Sequence, residues 1–433
     1  MSELPLSRTA MQEQLAYLRA RVQRVNEKYS DRPAPIEDPE FSTQLPRPPA
    51  RYIEEWLTGS EVETAYGRHF ETEKLWEPHR RHGSADIGAL ADLPHDLLET
   101  ISDGICPHSS PEEWAFLDTE TTGLAGGSGT CAFLIGVGRV TREGFYVKQF
   151  FMRDHAEEAS QLDALARHLE SFKVLITYNG RTFDQPLLET RYRLNRTRPP
   201  FARMEHLDLL HGARRLWKLR FESCRLVDLE NQILGIERQG DVPGALIPYL
   251  YFEYLRTRHA ARMLPVFHHN AFDIVTLACL TGIVPYAFKD PHGTSDNAPL
   301  QHGAEIAGIG RWLREAGELD QARTLFRRAV DKGLPDRLLF KILWDLAQLE
   351  RKLGAEEAAV AIWTDLAASP NPFRVEALVE LAKQHEHRTK NLSLALEMTR
   401  AALALEDTAA LRRREDRLAR RSSRGTAKSA RFL

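Results

Sequence analysis

Phe116-Leu117-Asp118-Thr119-Glu120-Thr121-Thr122-Gly123 is an apolar run that ends in two acids separated by a single residue. In an extended strand alternate side chains share a face, so Asp118 and Glu120 point the same way. Two carboxylates at a strand end are hard oxygen donors, suited to Mg2+ or Mn2+ rather than to zinc. The competing reading is an exposed acidic turn. Against it stand the buried run before the pair and Thr121, Thr122 and Gly123 after it, which would let backbone come close to a ligand. The strand starts near Trp114, and Ala132 to Val140 and Phe145 to Phe151 read as further strands bounded by glycines. A helix over about Ala156 to Ser171 and a short buried strand over Val174 to Thr177 follow. Helical periodicity then holds over Asp184 to Tyr192 and through much of Arg215 to Leu280. The pattern predicts an α/β fold, a sheet with helices between and after its strands. The Gly-rich stretch Gly123 to Thr130 has no Lys before a Ser or Thr, so it lacks the lysine of a phosphate-binding loop and reads as a hairpin beside the acids.

Two later stretches supply partners for the first. Ile176 to Asp184 runs from a strand through Asn179-Gly180 to an acid that opens a helix. Taken alone, Asp184 reads as an ordinary helix cap. His268-His269-Asn270-Ala271-Phe272-Asp273 leads into the helical run Ile274 to Leu280. A helix that includes His269 puts it one turn before Asp273 on the same face, and either imidazole is suited to deprotonating a water. Asp208, at the end of the short apolar run Glu205 to Leu210, is expected to serve structural hydrogen bonding.

In order, D-x-E, N-G-x-x-F-D and H-x-x-x-x-D closely resemble the DEDD exonuclease superfamily. Within that set Leu117 to Leu124, Tyr178-Asn179-Gly180 and Phe183 to Leu188 resemble the bacterial YprB-type ribonuclease-H-like family. The resemblance covers about Trp114 to Phe288 and extends more weakly over Gln301 to Leu405. It implies a ribonuclease-H-like mixed sheet flanked by helices, followed by an all-α, tetratricopeptide-like region. It also implies that Asp118, Glu120, Asp184 and Asp273 hold two Mg2+ or Mn2+ ions, with a histidine as general base. His269-Asn270-x-x-Asp273 is the first choice for that base, because Asn270 suits a Tyr-Asn-x-x-Asp variant in which His269 takes the Tyr position. His268, five residues before Asp273, is the alternative. Thr121, Thr122, Asn179 and Arg181 are the candidate substrate contacts. The implied activity is 3′ to 5′ removal of nucleotides from single-stranded DNA or RNA, leaving 5′-phosphates. Two other classes compete with it: a helical-repeat scaffold carrying an inactive nuclease fold, and an endonuclease using the same chemistry.

The surrounding sequence sets limits on these readings. The chain has 433 residues and a formal net charge of −3, so contact with a polyanion must come from local patches. Residues 1–52 read as a flexible arm, with a helical stretch over about Met11 to Val25 and a Pro-rich stretch over Arg32 to Pro49. Residues 53–110 read as a small subdomain packed on the next, 111–290 as the nuclease domain, 300–407 as helical repeats and 408–433 as a basic disordered tail. The repeats are marked by Gly310 and by Ala322, Phe326 and Ala329, a small-large-small spacing that returns at Ala359, Trp363, Leu366 and at Ala395, Thr399, Ala402. Such repeats are candidates to hold a protein partner. No apolar run is expected to approach the ~20 residues needed to span a bilayer, Met1 to Arg8 lacks the apolar core of a signal peptide, and no membrane partner is expected. Cys106, Cys131, Cys224 and Cys279 lack paired spacing and are expected to be buried free thiols in a reducing, cytoplasmic setting.

Overall fold

The strand that carries Asp118 and Glu120 lies inside the sheet, with an antiparallel neighbour on one side and a parallel one on the other. The structure is a computed structural model that describes residues 52–123, 129–292 and 300–429, with side chains up to Ser423. The arm expected over 1–52, its last residue apart, lies outside the described residues, as does most of the Gly-rich stretch. Strands β1 (Ser60–Thr64), β2 (Gly67–Trp76), β5 (Trp114–Thr121), β6 (Ala132–Thr141), β7 (Gly144–Phe151), β8 (Val174–Thr177) and β9 (Glu205–Asp208) form a seven-stranded mixed sheet in the order β1-β2-β7-β6-β5-β8-β9. Strands β3 (Arg81–His82) and β4 (Ala85–Asp86) pair separately. In the main sheet β1, β2, β7, β6 and β5 are antiparallel in succession, whereas β5, β8 and β9 run parallel. Parallel neighbours need crossovers. Helix α2 (Glu158–Leu169) makes one and α3 (Asp184–Leu194) the other, while the short α1 (Leu97–Ile101) precedes β5.

The residues expected to form a separate layer, 53–110, are instead partly built into the sheet: β2 pairs with β7 from Phe70↔Phe151 to Trp76↔Phe145. Charged residues interleaved along the edge strand β1 and its neighbour β2, among them Glu61, Glu63, Arg68, Glu71, Glu73 and Lys74, hide the apolar positions in a linear reading, and only pairing with β7 reveals which face is covered.

Alternation along β5 divides the core. Ala115 and Leu117 pack with Leu162, Leu165, Leu188 and Tyr192 of α2 and α3. Trp114 and Phe116 face the other way, toward Ile274 and Val275 of the long helix α7 (Leu264–Thr281). Asp118 and Glu120 continue on that second face. Helix α7 lies close over β6 because Gly136 and Gly138 have no side chains: a Cβ at Gly136 would stand 2.3 Å from Asn270 Oδ1, and one at Gly138 2.6 Å from Ile274 Cγ2. Between them run α4 (Leu209–Trp217), α5 (Leu226–Leu229), a π-helical turn over Glu230–Leu234, and α6 (Ile247–Thr257), whose Tyr251 stacks on Phe133 at 4.0 Å. Helix α8 (Val284–Lys289) follows α7. The stretch Ala260–Lys289 is long and apolar enough to cross a membrane by length and composition, which corrects the impression that no such run exists; 72% of its apolar window is buried, and it serves as the core helix. All four cysteines are buried free thiols.

Beyond Leu300 the described chain is all helix: α9 (Gly303–Ala316), α10 (Leu319–Asp331), α11 (Asp336–Lys352), α12 (Glu356–Ala368), α13 (Arg374–His387), α14 (Leu392–Leu405) and α15 (Ala409–Ser429). Each small-large-small set falls on the second helix of a consecutive pair, and Ala322, Phe326, Ala329, Ala359, Trp363, Leu366, Ala395, Thr399 and Ala402 are all buried. Gly310 lets α9 meet the ring of Phe326. The first pair shares one continuous core with the sheet region, from Leu216 and Leu280 to Ile306 and Phe326. Of the segment expected to be a disordered tail, Ala409–Ser429 is helical as α15 and the last four residues lie outside the described ones. Arg414, Arg417 and Arg421 all bond the fully buried Glu386 of α13, and that clamp holds a basic helix that has little apolar surface of its own.

Candidate functional site

Local geometry brings the four predicted acids to one place. Asp118 and Glu120 share a face of β5. Asp184 is the first residue of α3, and its Oδ1 accepts from Thr119 Oγ1 at 2.5 Å, so it is tied to the strand instead of serving as the cap, a position held by Phe183. Asn270 of α7 is fully buried and donates to Asp118 Oδ2 at 2.9 Å, while Gln149 of β7 donates to Asn270 Oδ1 at 2.8 Å. This chain of amides fixes the rotation of α7 that delivers Asp273, one turn on. Burial pushes the Asp118 carboxyl well up, reinforced by the nearby charges of Asp273 and Asp184. Glu120 is raised likewise by burial and then by Asp118, Asp273 and Asp184. Asp184 is pushed up to about 6, mainly by burial. Burial, and for Asp118 and Glu120 the crowding by the other acids, disfavours the charged carboxylates, a cost that a bound cation would relieve.

The two histidines, adjacent in sequence, face different surroundings. Both lie within α7. His269 Nδ1 stands 2.8 Å from Asp241 Oδ1, and its Nε2 is 3.7 Å from Asp273 Oδ2. His268 is exposed and stacks on Phe272, with ring centroids 4.2 Å apart. Asp241 therefore orients the imidazole that faces the acids, an arrangement that fixes one tautomer.

Arg238, Asp241 and Glu230 were not legible as site residues. The Arg238 side chain is 7% exposed and spans them: it bonds Glu230 at 2.7 and 2.6 Å, Asp241 at 3.2 Å and Asp273 at 2.5 Å. Burial disfavours its charge, but the bond to Glu230 and the field of Asp273 more than offset this, and the guanidinium stays protonated. Burial raises the Asp273 carboxyl and Arg238 opposes that rise. Glu230 opens the π-helical turn and also accepts from Thr276 Oγ1, which bonds His82 at 2.8 Å. No spacing rule links positions 230, 238 and 241 to the other motifs, since the loop that carries them folds back on α7.

The predicted substrate contacts divide. Thr121 lines a cavity of about 290 Å3 beside Asp184, together with Thr119, Gly123, Leu187 and the exposed ring of Phe183. Thr122 closes the hairpin, with Oγ1 accepting from the Cys131 amide at 3.0 Å. Arg181 donates its guanidinium to the His206 carbonyl rather than presenting it beside the acids. Asn179 is left-handed at φ 70°, and its amide donates to Asp208 Oδ1 at 2.8 Å. Asp208 also caps α4 and accepts from the Arg181 amide at 3.2 Å, so it holds the turn between β8 and α3 in the structural role expected of it.

Comparison with known proteins fits this architecture. The chain is 36% identical over 303 residues, 69% of its length and 71% of the other's, to a Bacillus subtilis (strain 168) protein described as uncharacterised protein YprB. A family model described as RNase_H superfamily matches residues 115–284. The chain belongs to the RNase H superfamily. Its superfamily domain spans β5 to the start of α8 and contains all four acids, both histidines and Arg238. RNase H-like nucleases typically use divalent ions, and four carboxyls raised by burial offer the hard oxygen donors that suit one. Among the described residues no three His, Cys, Asp or Glu side chains already converge on a single ion position. Protein partners occupy several of the oxygens: Thr119 on Asp184, Asn270 on Asp118 and Arg238 on Asp273.

Proposed function

We propose that this chain is a metal-dependent nuclease that removes nucleotides from the 3′ ends of single-stranded DNA or RNA. The observation that carries the reading is the grouping of Asp118, Glu120, Asp184 and Asp273 at one end of β5 beneath an imidazole held by its own carboxylate. Asp118, Glu120, Asp184 and Asp273 would hold two Mg2+ or Mn2+ ions, which supply Lewis-acid activation of a water and charge stabilisation of the leaving oxygen. His269 would take the proton of the attacking water through Nε2, with Asp241 holding Nδ1 and stabilising the imidazolium that forms. The exposed ring of Phe183 and the apolar wall of Leu187 suit the face of a terminal base, and Thr121 borders the same cavity. Arg238, neutralising Glu230 and Asp273, keeps the last acid in place on α7. The helix pairs have the pattern of tetratricopeptide-like repeats, and a larger cavity of about 690 Å3 between α13 and α15, lined by Trp344, Val379, Leu411 and Arg413, would suit a protein partner in the cytoplasm.

The test is hydrolysis of 5′-end-labelled single-stranded DNA and RNA with Mg2+, Mn2+ or EDTA, beside Asp118→Ala and Asp273→Ala. A ladder shortening from the 3′ end, absent with EDTA and in both variants, is the expected result. Internal cuts would replace the exonuclease reading with an endonuclease, and no cleavage of any substrate would overturn the nuclease.

A further inference from the structure

A group of cations lies where the sheet region joins the first helix pair. Gly308 of α9 touches the end of α4 so closely that a Cβ there would stand 2.4 Å from the Arg215 carbonyl oxygen, and Arg220 locks the junction through Glu305 at 2.6 Å. Two adjoining depressions flank this contact, of about 260 and 370 Å3, and both are lined by Arg214 and Lys218. The first adds Arg215 and Arg311 beside one acid, Glu315; the second runs past Glu222 and Arg225, the latter paired with Asp228, to Tyr178 and Asn179. Arg214 and Arg215 are exposed, and among the described residues neither these nor Arg311 has an ion-pair partner. Lys218 donates only to the Glu222 carbonyl, at 2.7 Å. Two cations in the last turn of α4 also complement the helix dipole, but that does not account for Lys218 or for Arg311, which comes from another element.

The trench therefore concentrates unpaired positive charge in a chain of net charge −3. It leads to the turn that carries Asn179 and opens α3, five residues before Asp184. Tyr178 donates its hydroxyl to the Cys224 carbonyl, and Asp208 holds the Asn179 amide, so the end of the trench nearest the acids is fixed. We propose that this trench carries the phosphate backbone of a single nucleic-acid strand whose end lies at the acids, making the first helix pair part of the substrate-binding surface. The choice of polymer rests on the nuclease reading. Point charges on flexible side chains suit a phosphate track without sequence readout.

The experiment measures binding of fluorescent oligouridylate and oligothymidylate strands of about 4 and about 16 nucleotides, lengths that bracket common single-strand sites. The proteins are full-length chains carrying Asp118→Ala to prevent cleavage, with and without Arg215→Gln and Arg311→Gln. For the long strand the paired substitution is expected to weaken binding about tenfold and to reduce the slope of log affinity against log salt by about 1.4, two lost phosphate contacts at ~0.7 each. The short strand should bind equally well to both. Unchanged affinity and slope for the long strand would overturn the trench, as would stronger competition by polyglutamate than by polyuridylate, which would assign the surface to an acidic protein. The two proposals fail separately. Cleavage by wild type with no trench effect removes only the trench, whereas trench-dependent binding without cleavage on any substrate removes only the nuclease.

Discussion

His268 and His269 are chain neighbours, yet α7 turns one toward solvent and the other toward Asp241 and Asp273. The sequence offered both as bases because each spacing had a precedent; only the helix phase separates them. With His269 as the base, His269→Ala should lower kcat about 10²–10⁴-fold, the usual contribution of a general base, whereas His268→Ala should cost less than about tenfold. Steady-state kinetics on a labelled strand checks this, and the reverse ranking would move the role to His268. Arg238 makes a second residue-level case. Arg238→Met strands the fully buried Glu230 without its counter-ion and should destabilise the fold by about 3–5 kcal/mol in urea unfolding, with much of that recovered in the double variant Arg238→Met/Glu230→Gln. An additive double variant would show that the pair is not coupled. Acid sensitivity also belongs at this scale. Burial pushes His82, His168 and His206 down to about 4 from the ordinary 6.5. Between those values the unfolded chain binds protons that the folded chain refuses, so their stabilisation is full above pH 6.5 and is lost as pH falls toward 4. The loss is at most about 3 kcal/mol for each. His168 packs between Phe150 and Phe172, and His168→Phe should flatten the fall in unfolding free energy over that range.

At the scale of elements, β5 and β8 were readable because a short buried run bounded by polar turns has few alternatives, and α2 was placed to within a few residues by its period. Strands β1 and β2 were not readable as part of the sheet, because their apolar positions are interleaved with charge and their partner β7 lies far along the chain. Register between such distant segments is settled only when the faces pack. The approach of α7 to β6 is another element-level decision, made by Gly136 and Gly138. Gly136→Val would drive a side chain into Asn270 and Ile274 and should cost about 1–3 kcal/mol of stability. It would also separate Asn270 and Asp273 from Asp118. Turnover should therefore fall further than the lowered melting temperature accounts for, and retention of full turnover at a permissive temperature would show that the α7–β6 approach does not set the site.

At the scale of the whole molecule, the C-terminal basic segment shows how tertiary contacts reverse a compositional reading. Nine Lys or Arg follow Leu411, a composition that reads as a disordered tail, yet Glu386 gathers three of the arginines and docks the helix. Glu386→Ala should release α15 and speed tryptic cleavage within Arg413 to Arg421 about tenfold or more, since local opening free energy sets that rate; unchanged cleavage would mean that the clamp does not hold the helix. The sequence by itself determined the strand with its paired acids, the order of the three acidic motifs, the superfamily and the alternation of sheet and helical regions. These depend on periodicity and on residue types at short spacing, which a linear chain displays directly. The tertiary structure alone decided which histidine faces the acids, that Arg238 and Asp241 join them, that β1 and β2 extend the sheet, and that unpaired cations from two regions share one trench. Each of these depends on groups far apart in the chain meeting in a buried or half-buried space, where packing and charge pairing select one arrangement among many the sequence permits.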